Sequence, residues 1–189
     1  MSNSLKYGKW QNFIDKKRIK EINDCVEKNY SSLEKPEDGA TGISGVQLKF
    51  LTTKIIEYGH VQHLLHGIVD KLHFTAGTEF GYQTYPSSYS EYINLNIYND
   101  DRKARYDWHT DTSQSDLFDI KLTALINISL KPYEGGKFQF FQNEIIPVDE
   151  LDSPGDMILF KSYVNHRVLP VTSGERRTLS IWLRGPKFQ

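Results

Sequence analysis

Two side chains that can hold a metal stand two residues apart in the run Tyr106-Asp-Trp-His-Thr-Asp111. On an extended strand His109 and Asp111 leave the same face, with a backbone separation of roughly 6–7 Å. An imidazole nitrogen and a carboxylate oxygen at that spacing can converge on one ion at about 2.0–2.2 Å. One such pair is a weak signal, because exposed loops carry it by chance. A third candidate, His166, closes the run Met157-Ile-Leu-Phe-Lys-Ser-Tyr-Val-Asn-His166.

Two histidines and one carboxylate occupy one face of a metal and leave the opposite positions open, the facial arrangement of non-haem Fe(II) oxygenases. Arg176 stands ten residues beyond His166. Pro170 and Ser173-Gly174 between them predict a turn that folds Arg176 back beside the His166 strand. There a guanidinium can hold the carboxylate of a bidentate co-substrate through a forked pair of hydrogen bonds. Strand period chooses between the adjacent arginines. Arg177 shares its face with Leu179, Ile181 and Leu183, an apolar row, and is expected to reach solvent. Arg176 shares its face with Thr178, Ser180 and Trp182 and is expected to face a cavity.

These residues need a scaffold, and the hydrophobic pattern predicts one. Ile19, Ile22, Val26 and Tyr30 recur at helical spacing behind Asp15, a candidate N-cap. Val61, Leu64, Leu65, Ile68, Val69 and Leu72 form a second helical stripe. From about residue 80 the period becomes two: Ile93, Leu95 and Ile97, then Leu122, Ala124, Ile126 and Ile128, then Leu179, Ile181 and Leu183 alternate with mostly polar residues. Shorter runs at 137–141, 156–160 and 166–171 are separated by Gly135-Gly136, Pro154-Gly155 and Ser173-Gly174. Seven to nine short strands of this kind predict a sandwich, barrel or jelly roll. The expectation is a mainly β chain with N-terminal helices, one domain over 1–189, with a helical buttress at about 10–75 covering one outer face of a β core at about 80–185. Polar inward rows, Asn94, Asn96 and Tyr98 on one strand and Thr123 and Asn127 on another, suit a barrel that holds a ligand.

Composition removes several classes of function. Hydrophobic residues at 38% and charged residues at 25% fit a globular domain, not a disordered tail or a fibre. The 23 Lys plus Arg against 24 Asp plus Glu leave a net charge of −1, which argues against a surface built to coat nucleic acid. The longest unbroken apolar run, 157–160, is far short of the roughly twenty residues of a membrane span. No apolar secretory segment is visible at the N-terminus, and the single cysteine, Cys25, fits a reducing cytoplasm.

The runs Trp-His-Thr-Asp at 108–111, Gly-Gly-Lys-Phe at 135–138, Pro-Gly-Asp-Met-Ile-Leu-Phe at 154–160 and the segment 166–176, followed by Trp182, resemble the prolyl 4-hydroxylase-type branch of the Fe(II)/2-oxoglutarate dioxygenases. The small bacterial and phage PKHD-type hydroxylases are the most similar subgroup, over roughly residues 90–185. The resemblance implies a double-stranded β-helix (jelly-roll) core with Fe(II) on His109, Asp111 and His166. It implies 2-oxoglutarate and O2 as co-substrates and ascorbate as a candidate accessory. The basic residue for the distal carboxylate of 2-oxoglutarate maps to Arg176. The family tyrosine preceding the H-x-D motif maps to Tyr98, with one extra residue before His109. Thr178 matches a hydroxyl two residues after the arginine, and Asn127 occupies a strand position where relatives place a further co-substrate contact, frequently a tyrosine. The implied reaction is hydroxylation of an unactivated C–H bond of an amino-acid side chain, releasing succinate and CO2. The substrate is a protein, a peptide or a free amino acid. Asp111 sets aside the related halogenases, which lack that carboxylate. The competing readings are a nucleic-acid dealkylase of the same superfamily, disfavoured by the balanced charge, and a cupin-like metal-binding isomerase or binding module, disfavoured by Arg176.

Other features read more plainly. His60, His63 and His66 fall opposite the second apolar stripe and are expected to be solvated, and Cys25 is expected to be a small core residue. Gly135-Gly136 reads as a hairpin turn, because no helical pattern follows it. Arg102, Lys103 and Arg105 form either a solvated loop or an attractor for an anionic substrate. The loop 82–92, with four tyrosines and Pro86, either packs locally or covers the substrate.

Overall fold

Strand pleating sends successive side chains to opposite faces, so a row of apolar residues alternating with polar ones must lie between two different environments. The computed structural model, which describes residues 5–38, 45–112 and 115–188, shows this arrangement. In chain order the elements are β1 (Gly8–Trp10), α1 (Lys16–Asn29), β2 (Ser32–Glu34), β3 (Lys49–Phe50), β4 (Thr52–Glu57), α2 (Tyr58–Phe80), β5 (Tyr92–Asn99), β6 (Arg105–His109), β7 (Asp119–Asn127), β8 (Glu134–Gly135), β9 (Phe138–Gln142), β10 (Glu144–Val148), β11 (Met157–Lys161), β12 (Asn165–Val168), β13 (Val171–Ser173) and β14 (Glu175–Gly185).

The strands form a seven-stranded sheet in the order β1-β11-β7-β14-β5-β4-β2, facing a five-stranded sheet in the order β10-β9-β12-β6-β3, with β13 and β8 as a separate pair. Each ladder in both sheets is antiparallel. This is the mainly β architecture with N-terminal helices that the periodicity predicted, in the jelly-roll form that the resemblance implied.

Two cores follow from the two faces of the larger sheet. Leu95 and Ile97 of β5, Leu122 and Ala124 of β7, and Leu179, Ile181 and Leu183 of β14 pack against Ile22 and Val26 of α1 and Val61, Leu65 and Leu72 of α2. The other face, with Tyr98, Leu125, Ile158 and Phe160, meets Phe138, Phe140 and Val168 of the smaller sheet. The site lies in this second layer.

Asp15 caps α1 as expected: its Oδ1 accepts a hydrogen bond from the Arg18 amide at 2.8 Å. His60, His63 and His66 are exposed on α2, and the Cys25 thiol donates to the His60 carbonyl at 3.3 Å from the partly buried side of α1. Among the described residues no helix is long and apolar enough to cross a membrane.

Four strands precede residue 80, where the sequence pattern showed only helices. β1, β2 and β3 are two or three residues long, too short to display a period. In β4 the run Thr-Thr-Lys-Ile-Ile-Glu does not alternate in polarity. The glycine- and charge-rich segment 31–45, whose composition suggests a loop, begins with β2, which pairs with β4; its positions 39–44 lie outside the described residues. Gly135-Gly136 is also not a simple hairpin turn. Gly135 ends β8 and pairs with Val171 of β13, and both glycines have positive φ, 74° and 61°.

Replacing Asp15 by Ala removes the α1 cap and should destabilise the fold by about 1 kcal/mol. Thermal unfolding should show a midpoint roughly 2–4 °C lower; an unchanged midpoint would mean that α1 contributes nothing through its cap.

Candidate active site

His109 is the last residue of β6 and His166 lies in β12, and the two are direct cross-strand partners. Each imidazole is aimed by its own backbone. His109 Nδ1 lies 2.7 Å from the Asp107 carbonyl, and His166 Nδ1 lies 2.9 Å from the Val164 carbonyl. A carbonyl can only accept, so Nδ1 carries the proton in both rings and Nε2 keeps its lone pair. Both Nε2 atoms face Asp111: His109 Nε2 is 3.7 Å from Oδ1 and His166 Nε2 is 3.6 Å from Oδ2. The three ligand atoms lie within 4.8 Å of one another.

Asp111 is not on the strand. The chain leaves β6 after His109, and the Asp111 amide donates to the Ser162 carbonyl at 2.9 Å. The Thr123 hydroxyl of β7 donates to Asp111 Oδ2 at 2.8 Å and orients the carboxylate. Tyr106 stacks on the His109 ring, with centroids 3.5 Å apart. Burial, reinforced by the neighbouring His166, pushes the His109 imidazole down to about 4, against the opposing pull of Asp111. The neutral ring, the form that binds metal, therefore persists well below neutral pH.

The triad borders a cavity of about 80 Å³ lined also by Lys49, Asn94, Asn96, Tyr98, Leu125, Phe138, Val168, Ser180 and Trp182. Wider surface grooves, of about 410 Å³ beside Phe141 and Tyr163 and about 650 Å³ beside Asp100 and Glu175, do not include the triad.

Arg176 and Tyr98 are cross-strand partners on β14 and β5, and Arg176 Cζ lies 5.2 Å from the Tyr98 ring centroid. Arg176 is 1% exposed, and its Nε and Nη1 have no hydrogen-bond partner. The Thr178 hydroxyl is likewise buried and unpartnered. Burial pushes the Tyr98 phenol up to about 12, so it remains a neutral donor. A guanidinium and a hydroxyl with unused hydrogen-bonding capacity fit an incoming carboxylate. Gly136 makes room for this arrangement: a Cβ there would lie 2.9 Å from Arg176 Cδ and 2.9 Å from Val171 Cγ2.

Several expectations need correction. The turn at 170–174 does not lay Arg176 beside β12 within one sheet; it carries the chain from the smaller sheet to the larger, so Arg176 reaches the interior from the facing wall. Arg177 does not reach free solvent. It lies on the helix side, donating to Glu175 Oε1 at 2.6 Å, Asn23 Oδ1 at 2.9 Å and Glu27 Oε1 at 3.1 Å. Asn127 does not join the site: its Nδ2 is engaged by the Tyr133 hydroxyl and the Leu151 and Asp152 carbonyls, and its Oδ1 accepts from the Ser129 amide.

Arg102 pairs with Glu37 at 3.7 Å, and Arg105 covers the Phe50 ring and approaches Asp107. Residues 82–92 are absent from the cavity lining. Thr84 and Ser87 meet His73 of α2, and the Tyr85 amide donates to the Arg184 carbonyl. Sequence reasoning missed Lys49, which comes from a two-residue strand, and Tyr106, whose spacing of three before His109 hides a bulge between β6 and β12.

A double-stranded β-helix with two histidines and a carboxylate at one end of its interior defines a class of metal-dependent oxygenase scaffolds. Residues 93–184 match the 2OG-Fe(II) oxygenase superfamily, a span that holds the triad and Arg176. That match, the triad and the shared fold support a 2-oxoglutarate-dependent dioxygenase that uses Fe(II), 2-oxoglutarate and O2.

Its fold is that of the prolyl 4-hydroxylases. A Pseudomonas putida prolyl-4-hydroxylase superposes with a TM-score of 0.71 at 17% identity, over 97% of this chain and 95% of that one. A viral collagen prolyl hydroxylase from Paramecium bursaria Chlorella virus-1, in complex with 2-oxoglutarate, gives 0.70 at 18% identity over 97% and 98%. The carbocyclase SnoK from nogalamycin biosynthesis gives 0.65 at 15% identity over 94% and 79%. Comparison with curated proteins gives no match.

The His109 shift carries a pH signature. Between about 4 and its ordinary value of 6.5, the unfolded chain binds a proton at this position that the folded metal-free protein does not. Stability of the metal-free protein should therefore fall as pH drops from 6.5 towards 4. Denaturant unfolding across that range should show the slope, and His109→Gln should flatten it; equal slopes would mean that His109 is not held neutral.

Proposed function

We propose that this protein hydroxylates an unactivated C–H bond of an amino-acid side chain, in a prolyl residue or a free amino acid, while 2-oxoglutarate and O2 are converted to succinate and CO2. In this reading His109, Asp111 and His166 hold Fe(II). Arg176, with Tyr98 and Thr178, takes the distal carboxylate of 2-oxoglutarate. The observation that carries the reading is the buried Arg176 guanidinium with unpartnered N–H groups, set beside Tyr98 in the interior that also holds the triad.

Iron with 2-oxoglutarate and O2 supplies the oxidising power; the chain supplies position and dryness. The backbone bonds at Nδ1 present two Nε2 lone pairs, and Thr123 sets the carboxylate between them. Phe138, Leu125 and Val168 give the cavity apolar walls that keep water from the reacting centre.

The prolyl hydroxylase neighbours support an amino-acid side chain as substrate. One, from Trichoplax adhaerens, is described in complex with a hypoxia-inducible-factor peptide fragment; it superposes with a TM-score of 0.66 at 18% identity. A cytoplasmic setting belongs to the same proposal and is supported by the lone Cys25.

Succinate release with Fe(II), 2-oxoglutarate and a panel of prolyl peptides and free amino acids tests the activity. His166→Ala should abolish tight Fe(II) binding and leave a folded barrel; normal Fe(II) binding and activity in that variant would refute the ligand assignment. Removing the charged partner of a buried carboxylate costs about 2–5 kcal/mol, so Arg176→Ala should weaken 2-oxoglutarate binding by roughly 30- to several-thousand-fold. Arg177→Ala should leave that affinity nearly unchanged and lower the unfolding midpoint, because it removes the hydrogen bonds to Asn23, Glu27 and Glu175. An equal affinity loss in both variants would contradict the assignment of Arg176.

A further inference from the structure

Fe(II) and 2-oxoglutarate, as assigned above, leave part of the cavity lining without a role. Lys49 lines the cavity from β3 of the smaller sheet, and Arg176 stands beside Tyr98 on the facing sheet. The Lys49 side chain is only 10% exposed, and its ammonium pairs with Glu34, whose own side chain is 41% exposed. The Trp182 indole N–H is buried without an acceptor. Asn96 is not available, since it already bonds Thr53 and Ser180, but Asn94 also lines the cavity.

We propose that the Lys49–Glu34 pair recognises a zwitterion: the substrate is a free α-amino acid whose carboxylate goes to Lys49 and the Trp182 N–H, and whose ammonium goes to Glu34. The proposal rests on the Fe(II)/2-oxoglutarate reading and narrows its substrate class.

Charge balance selects this ligand. Lys49 and Glu34 neutralise each other, so an anion bound to Lys49 alone would leave Glu34 uncompensated, and a cation bound to Glu34 alone would leave a mostly buried ammonium uncompensated. The second outcome is the costlier, because the ammonium is only 10% exposed, whereas solvent partly compensates Glu34 at 41%. A zwitterion replaces one ion pair by two and leaves no charge over. A peptide with blocked termini offers neither partner and would have to cover an intact ion pair. The site therefore discriminates against it by unpaired groups as well as by lost attraction.

The test uses the twenty common L-α-amino acids as probes, with succinate and oxidised product as readouts. The most active is then compared with its amide, which lacks the carboxylate, and its N-acetyl derivative, which lacks the ammonium. Equilibrium binding to Mn(II)- and 2-oxoglutarate-loaded protein is measured alongside kcat/KM.

Each derivative should bind at least about tenfold more weakly than the free amino acid. Lys49→Met should bring the preference for the acid over its amide close to one, Glu34→Gln should do the same for the amine over its N-acetyl form, and Lys49→Arg should retain the first preference. The derivatives test the idea on the wild-type protein even where a variant fails to fold. The proposal is overturned if no free amino acid raises succinate formation, if amide and N-acetyl forms bind as well as the free acid, or if Lys49→Met leaves the preference intact. Binding of 2-oxoglutarate to the Mn(II)-loaded wild type separates the two levels. Binding there with no amino-acid response overturns the zwitterion alone; no binding overturns the Fe(II)/2-oxoglutarate reading and the zwitterion with it.

Discussion

The two-sidedness of three neighbouring strands governs the molecule. β5, β7 and β14 lie side by side or one strand apart in the larger sheet, and each presents an apolar row to α1 and α2 and a largely polar row to the interior. The apolar row locks the register, because a slip of one residue would turn Leu95, Ala124 and Ile181 into the cavity and Tyr98, Thr123 and Arg176 onto the helices. The same packing that stabilises the fold therefore places the functional groups. The adjacent arginines illustrate it: Arg176 is buried beside Tyr98, and Arg177 is tied to Glu27 of α1.

The smaller sheet contributes the histidines, and its requirements differ. A metal ligand must be deprotonated at the coordinating atom and held in one orientation. Here the orienting partners of both rings are carbonyls two residues away in the chain, so local backbone fixes each tautomer. The Asp111 carboxylate is oriented from the larger sheet by Thr123, which makes the triad a joint between the two sheets.

Much of this was legible in the residues. The larger sheet's strands beside the site are long and alternate cleanly, so β5, β7 and β14 and the inward facing of Arg176, Tyr98 and Thr178 could be read directly. What escaped was short or nonlocal. Lys49 lies on a two-residue strand with no period. Tyr106 and His109 face the same cavity across an irregularity that strict alternation does not allow. Asn127 has the right parity for an inward residue, yet at the end of β7 its amide is consumed by carbonyls of the 149–152 turn, a long-range partnership with no signature in spacing.

Arg176 shows why binding groups need not be stabilising ones. A guanidinium buried to 1% exposure with two atoms unpartnered carries an uncompensated desolvation cost. Its position over the Tyr98 ring, 5.2 Å from Cζ to the centroid, offsets part of that through the cation–π attraction. In the function proposed above, the remainder is recovered when a carboxylate arrives. Because the side chain is already fixed by the wall around Gly136, little conformational entropy is lost at that moment. A buried, partly unpartnered guanidinium costs the fold stability that an apolar residue at 176 would not, and in the function proposed above that cost is returned as affinity for a dicarboxylate co-substrate.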